Sequence, residues 1–199
     1  MSFFSISKHA NEWIAMLSDK PKQMTEPPLE VVDTTIGPVA DQIEESTRDF
    51  ILKRLSVELK GHPLASFVAH VLNAMGYRTR VSPPGADGGI DIIAHKDELG
   101  FEPPIIKVQV KSGAGKVGQP DVSSLIGTLS PGEHGLMVAL GGFTPQAASL
   151  TRTKPNLRLI DGDELVELVL SHYDSFDSRY KGLLPLKKVY VPDPELENP

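Results

Sequence analysis

The chain has 199 residues, 40% of them hydrophobic and 23% charged, with a formal net charge of -6. That length suits one full domain with a small appendage, and the absence of cysteine excludes disulfides and thiolate zinc sites and suits a reducing cytoplasm. No apolar run is long enough to span a membrane, and the acidic balance argues against a protein that coats nucleic acid by bulk charge, though it leaves room for a nuclease.

The N-terminal stretch MSFFSISKHANEWIAML is interrupted by Lys8, His9, Asn11 and Glu12, so it lacks the unbroken apolar core of a secretory signal. Ile6 to Leu17 reads as a short amphipathic helix, and the proline-containing segment Lys20 to Pro38 reads as a linker. Residues 1–37 are therefore expected to be an attachment, too short to bury a core of their own. Residues 38–185 are expected to form the main domain with a leading helix, and 186–199 a frayed tail.

The leading helix is predicted over Val39 to Leu59, with Ile43, Phe50, Ile51, Leu55 and Leu59 near helical spacing. Gly61 ends it and Pro63 opens the next helix. There Leu64, Phe67, Val68, Val71, Leu72 and Met75 form one stripe, and Gly76 closes it. Strands are predicted at Tyr77–Val81, Gly89–His95 and Ile105–Lys111, joined by turn-rich loops. A helix from Pro120 to Thr128 follows, then a buried strand Gly135–Leu140 and a helix capped by Thr144. A strand Leu157–Asp161 and a helix Gly162–Ser171 complete the body. This order implies an α/β protein with a mixed central sheet and helices on both faces.

Two of these strands carry unusual polarity. Alternation puts Ile90, Ile92 and Ala94 on one face and Asp91 on the other, while Lys107, Gln109 and Lys111 share a face of the next strand. If the strands are neighbours, one register brings Asp91 beside Gln109 and Lys111. A carboxylate anchors a hard cation such as Mg²⁺, and an amide oxygen and the backbone carbonyl of Val110 add neutral oxygen ligands. Such an ion polarises a phosphodiester and acidifies a bound water, while Lys111 holds that water or steadies charge building on phosphorus.

The segments GADGGIDIIAHKDELG, KVQVKS, GLMVALGGFTPQA and LRLIDGDELVEL, taken in order, resemble the catalytic domain of Mrr-like restriction endonucleases, a branch of the PD-(D/E)xK nuclease superfamily. The resemblance covers roughly Lys60 to Leu170. It implies a restriction-endonuclease-like core in α-β-β-β-α-β order and a Mg²⁺-dependent DNA endonuclease, with Mn²⁺ as an alternative ion. In it Asp91 binds the metal, Gln109 takes the place of the more common carboxylate, and Lys111 is the catalytic lysine. Gln109 removes one negative charge, which should weaken metal affinity. Many relatives also carry a glutamate on the preceding helix, whereas here that turn reads Pro63-Leu64-Ala65-Ser66. Glu58 and Asp87 are the candidates to replace it, and Asp87 serves equally well as a turn residue.

The remaining polar residues divide more plainly. The six histidines show no metal-ligand spacing; His70 is expected on the surface side of its helix, and His95 is placed near the border of the site. Lys107 and Lys116 are the candidate phosphate contacts. The segment Gly113 to Gln119 reads as a flexible rim, and LIDGDEL as a strand-to-helix junction capped by Asp161 or Asp163. The resemblance makes DNA the partner and implies type IV restriction-like defence against foreign or modified DNA. Enzymes of this kind join the nuclease to a recognition module. Either that part is on another protein, or the chain is a truncated relative, or the core binds DNA with little selectivity. Cutting both strands needs two sites, which a homodimer would supply. The alternatives are an inactive DNA-binding module of the same fold and a structure-specific repair or junction nuclease.

Overall fold

The computed structural model describes residues 36–83 and 89–189. The predicted helix at residues 6–17, most of the linker, Asp87 and the end of the tail lie outside the described residues. Helix α1 spans Ile36–Glu58 and α2 spans His62–Ala74. Pro63 sits in the first turn of α2, where its missing N–H costs nothing. The stripe Leu64, Phe67, Val68, Val71 and Leu72 is buried as predicted. Gly76, at φ +87, closes the helix: its N–H donates to the Asn73 carbonyl and that of Tyr77 to the Leu72 carbonyl.

Five strands follow: β1 (Arg78–Val81), β2 (Ile92–His95), β3 (Ile105–Lys111), β4 (Glu133–Ala139) and β5 (Leu157–Asp161). Their spatial order equals their chain order. β1–β2–β3 are antiparallel, and β3–β4–β5 are parallel. The two parallel crossovers carry α3 (Gln119–Gly127) and α4 (Pro145–Ser149). Both step the same way across the sheet, so a common handedness puts both helices on one face. Helix α5 (Gly162–His172) and the short α6 (Ser178–Leu183) complete the chain of elements. This is the predicted mixed sheet with helices on both faces, and the caps Thr144 and Asp161 accept from Ala147 and Glu164 N–H as N-caps do.

The sheet separates two apolar layers. Beneath α1, α2 and α5 lie Ile92, Ala94, Val108, Leu136, Val138 and Ile160. On the other face Met137, Ala139, Leu157 and Leu159 pack with Val122, Leu125 and Ala147 of α3 and α4. β4 is buried on both faces, which explains its nearly continuous apolar run. The second layer covers β4 and β5 and takes no buried residue from β1, β2 or β3. Among the described residues that face of β3 meets α3 only through polar contacts, Lys107 with the Thr128 carbonyl and Lys111 with Asp121, and β1 and β2 add nothing to the second apolar layer, which leaves room for a site.

Three expectations need correction. β2 begins at Ile92 rather than Gly89, because Gly89 turns at φ +90 before the strand starts. Ile92 pairs with Val108, yet the Asp91 N–H also donates to the Val108 carbonyl, so two residues oppose one as in a bulge. The bulge moves Ile90 to the second apolar layer, away from Ile92 and Ala94. Ile43 is exposed, since the buried stripe of α1 starts further along.

His70 does not face solvent as its helix position suggested. Its ring lies 4.9 Å from that of Phe176 and 4.6 Å from that of Tyr180, and its Nε2 accepts the Asp177 N–H at 3.3 Å. Burial holds its pKa below the ordinary value, against the opposing pull of Asp177. A depressed histidine contributes stability at pH above its unfolded value, and that contribution falls away as pH drops through the folded value. Thermal denaturation from pH 8 to pH 5 is expected to show the midpoint falling in acid, and His70→Phe should flatten that part of the profile.

Candidate active site

The candidate site stands at the carboxyl end of β3, the end at which open α/β sheets bind ligands. The Lys111 carbonyl accepts the Leu140 N–H, so Lys111 and alternate residues turn their peptide groups toward β4. Val110 turns the other way, and its N–H donates to Asp91 Oδ2 at 2.7 Å. The Val110 carbonyl leaves the strand on the same edge, so it faces the side that carries the Asp91 carboxylate. Asp91 Oδ1 has no hydrogen-bond partner among the described residues.

Gln109 lies next to this edge. A Cβ added to Gly89 would stand 2.7 Å from Gln109 Nε2, so the amide is packed against the Gly89 backbone. The turn before β2 thus holds Asp91 through its chain and Gln109 through its missing side chain. Lys111, on the same strand face as Gln109, reaches Asp121 Oδ1 with its Nζ at 3.4 Å. Asp121 is in the first turn of α3. A further tie comes from Ser112, whose Oγ accepts the Gly61 N–H at 3.0 Å and joins the start of α2 to the end of β3.

Other predicted residues stand elsewhere. Lys107 Nζ is 2.7 Å from both the Glu133 carboxylate and the Thr128 carbonyl, so its charge is matched within the protein. Burial pushes the Glu133 carboxyl up, but the Lys107 ammonium and the Ser130 N–H outweigh it and hold the pKa below the usual range. His95 is at the far end of β2 from Asp91, with Nδ1 2.7 Å from the Asp97 carbonyl oxygen. Glu58 accepts from Arg54 at 3.2 Å on the α1 surface. Lys116 is exposed and has no partner among the described residues. Its loop is packed rather than loose: a Cβ on Gly141 would fall 2.5 Å from the Ala114 and Gly115 carbonyl oxygens, and Val117 bridges Phe143.

Among the described residues no three His, Asp or Glu side chains gather as a metal-binding group. The oxygen donors at this end of β3 are the Asp91 carboxylate and the Val110 peptide carbonyl on one edge, with the Gln109 side-chain amide on the adjoining residue. This set is all hard oxygen with a single charge, and it fits a cation that keeps several waters.

Residues 56–169, more than half of the chain, match the Mrr catalytic family, described as restriction endonuclease. The chain belongs to the Mrr-like restriction endonuclease family. Among curated proteins none matches it. Its fold is similar to that of the MspJI restriction endonuclease solved with a 27-mer oligonucleotide, at 21% identity and TM-score 0.53 over 77% of this chain. It is also similar to the DNA modification-dependent restriction endonuclease AspBHI, at 19% identity and TM-score 0.53 over 87% of this chain. The Mrr-like chain spans 38% and 47% of those two proteins. The match shows a restriction-endonuclease-like fold, and restriction endonucleases generally use divalent metal ions. No helix among the described residues is long and apolar enough to cross a membrane.

Gly89, Asp121 and Ser112 escaped the sequence reading. Asp121 had a usable signal: a crossover helix starts near the carboxyl end of the strand it follows, so an acid in its first turn stands near Lys111. Gly89 and Ser112 act through contacts between distant segments and have no such local mark.

Proposed function

We propose that the chain is a Mg²⁺-dependent endonuclease that hydrolyses phosphodiester bonds of DNA, with Mn²⁺ able to replace Mg²⁺. The observation that carries this reading is the hydrogen bond from Val110 N–H to Asp91, which ties the carboxylate to the strand bearing Gln109 and Lys111. Asp91, Gln109 and the Val110 carbonyl would hold the ion. When bound, the ion supplies Lewis-acid polarisation of the phosphate and a more acidic water. Lys111 orients the attacking water or stabilises negative charge on the phosphoryl oxygens. Asp121 keeps the ammonium at the mouth of the site until a phosphate competes for it. Lys116 is left to contact a neighbouring phosphate.

The biological role we infer is type IV restriction-like defence against modified or foreign DNA in the cytoplasm. The modification dependence named for AspBHI supports it, as does the oligonucleotide bound to MspJI. We infer a separate recognition module or subunit, and cutting both strands calls for a homodimer.

The test is plasmid DNA, unmodified and methylated, incubated with Mg²⁺ or Mn²⁺ beside a Lys111→Ala variant. Metal-dependent nicking or linearisation that disappears in the variant supports the reading. Binding without cutting would make the chain an inactive module of the same fold. Gln109→Glu restores a second carboxylate and should tighten Mg²⁺ binding about tenfold, as one added charge near a divalent ion predicts. Calorimetric titration checks this, and equal affinities would remove Gln109 from the ion.

A further inference from the structure

The exposed side of β1 carries a cation with no role in holding the ion. Tyr77 and Val81 pack against the first apolar layer, and Thr79 Oγ1 donates to Asn73 at the end of α2. Alternation along β1 therefore sends Arg78 and Arg80 to the opposite face, which the second apolar layer does not reach at β1. Both are exposed. Arg80 pairs in register with Ile93, and Ile93 with Lys107, so the three form a row across the strands on the face of Gln109 and Lys111. The Ser82 N–H donates to the Asp91 carbonyl at 2.8 Å, so β1 stays beside Asp91 up to the site. With about 4.8 Å between strands and about 3.3 Å per residue, the Arg80 and Asp91 backbones are roughly 8 Å apart.

Among the described residues, the charged side chains that β1 and β3 place on this face are matched except at Arg80. Lys107 is matched by Glu133, and Arg78 donates to Glu98 at 2.9 Å. Arg80 has no ionic or hydrogen-bond partner among the described residues. The whole chain carries -6, so bulk charge does not draw a polyanion to it. A local cation must do so, and a guanidinium suits phosphate because its fork donates two parallel hydrogen bonds.

We propose that Arg80 is a DNA-backbone contact that grips a phosphate next to the scissile one and so fixes the strand over Asp91, Gln109 and Lys111. This inference rests on the nuclease reading but makes a separate prediction. A phosphate contact carries no sequence information, so its loss weakens binding uniformly across sequences. It also releases one fewer counterion set, which reduces the salt slope by about one.

The experiment measures binding of fluorescein-labelled duplexes of two unrelated sequences to the full chain in Ca²⁺, across a salt series. Arg80→Gln should bind about tenfold more weakly to both duplexes at low salt, with the shallower slope, while Arg80→Lys keeps the slope. Lys53→Gln serves as the control, because Lys53 is exposed on α1 behind the other face. Wild-type binding with no change in Arg80→Gln overturns the proposal and leaves the nuclease reading standing. Failure of the wild type to bind DNA overturns both. Unchanged affinity with new self-association of Arg80→Gln would make the arginine a guard of the open β1 edge, and the proposal would fall.

Discussion

Asp91→Asn is expected to lose cleavage by on the order of a thousandfold while keeping its fold. The asparagine oxygen still accepts the Val110 N–H that Oδ2 accepts at 2.7 Å, so the bulge and the start of β2 remain supported. What disappears is the only charge in the donor set, and with it most of the hold on a divalent ion. Asp91→Ala removes both and should also lose about 1–2 kcal/mol of stability, because the Val110 N–H then has no partner in its place. Single-turnover cleavage and thermal melts of the two variants separate the roles. Activity retained by Asp91→Asn would show that the anion is not part of the chemistry. Equal melting of Asp91→Ala and wild type would show that the hydrogen bond supports nothing.

Gln109, Lys111 and Asp91 differ in how far the sequence makes their placement legible. Gln109 and Lys111 stand out because an isolated strand has no reason to put an amide and an ammonium two residues apart on one face. β3 runs unbroken from Ile105 to Lys111, with Ile106, Val108 and Val110 packed on the first apolar layer. For Asp91 simple alternation is incomplete. It assumes an unbroken strand from Gly89, whereas the turn at Gly89 and the doubled opposition to Val108 set the real direction of the carboxylate. Bulges depend on pairing between segments, and alternation within one segment does not reveal them.

The lysines were harder for a related reason. Lys107 and Lys116 look alike in sequence, but β3 runs parallel to β4 and so brings Glu133 to Lys107. Nothing local to Lys107 announces a carboxylate 26 residues further on. His70 failed likewise: α6 and the segment before it, which cover its ring, carry a weak signal in a short helix. The order of helices and strands was readable because it depends on runs of apolar spacing. Contacts between elements were not.

Gly89→Ala carries the second large effect, through two mechanisms that a double-mutant cycle separates. An L-residue at φ +90 is strained, and the added methyl would stand 2.7 Å from Gln109 Nε2. The strain should cost about 1–3 kcal/mol of stability whatever occupies position 109. The collision acts on Gln109 alone and should displace its amide enough to lower cleavage about a hundredfold and weaken Mg²⁺ binding. In a Gln109→Ala background the collision is gone, so Gly89→Ala should leave the remaining metal affinity unchanged while still lowering the melting midpoint. Calorimetric titration of the four proteins reads the coupling directly. An equal fall in metal affinity in both backgrounds would mean that Gly89 matters for the path of the chain into Asp91 and not for the seat of Gln109. Coupling confined to metal affinity would make the missing Cβ part of how the site holds its amide.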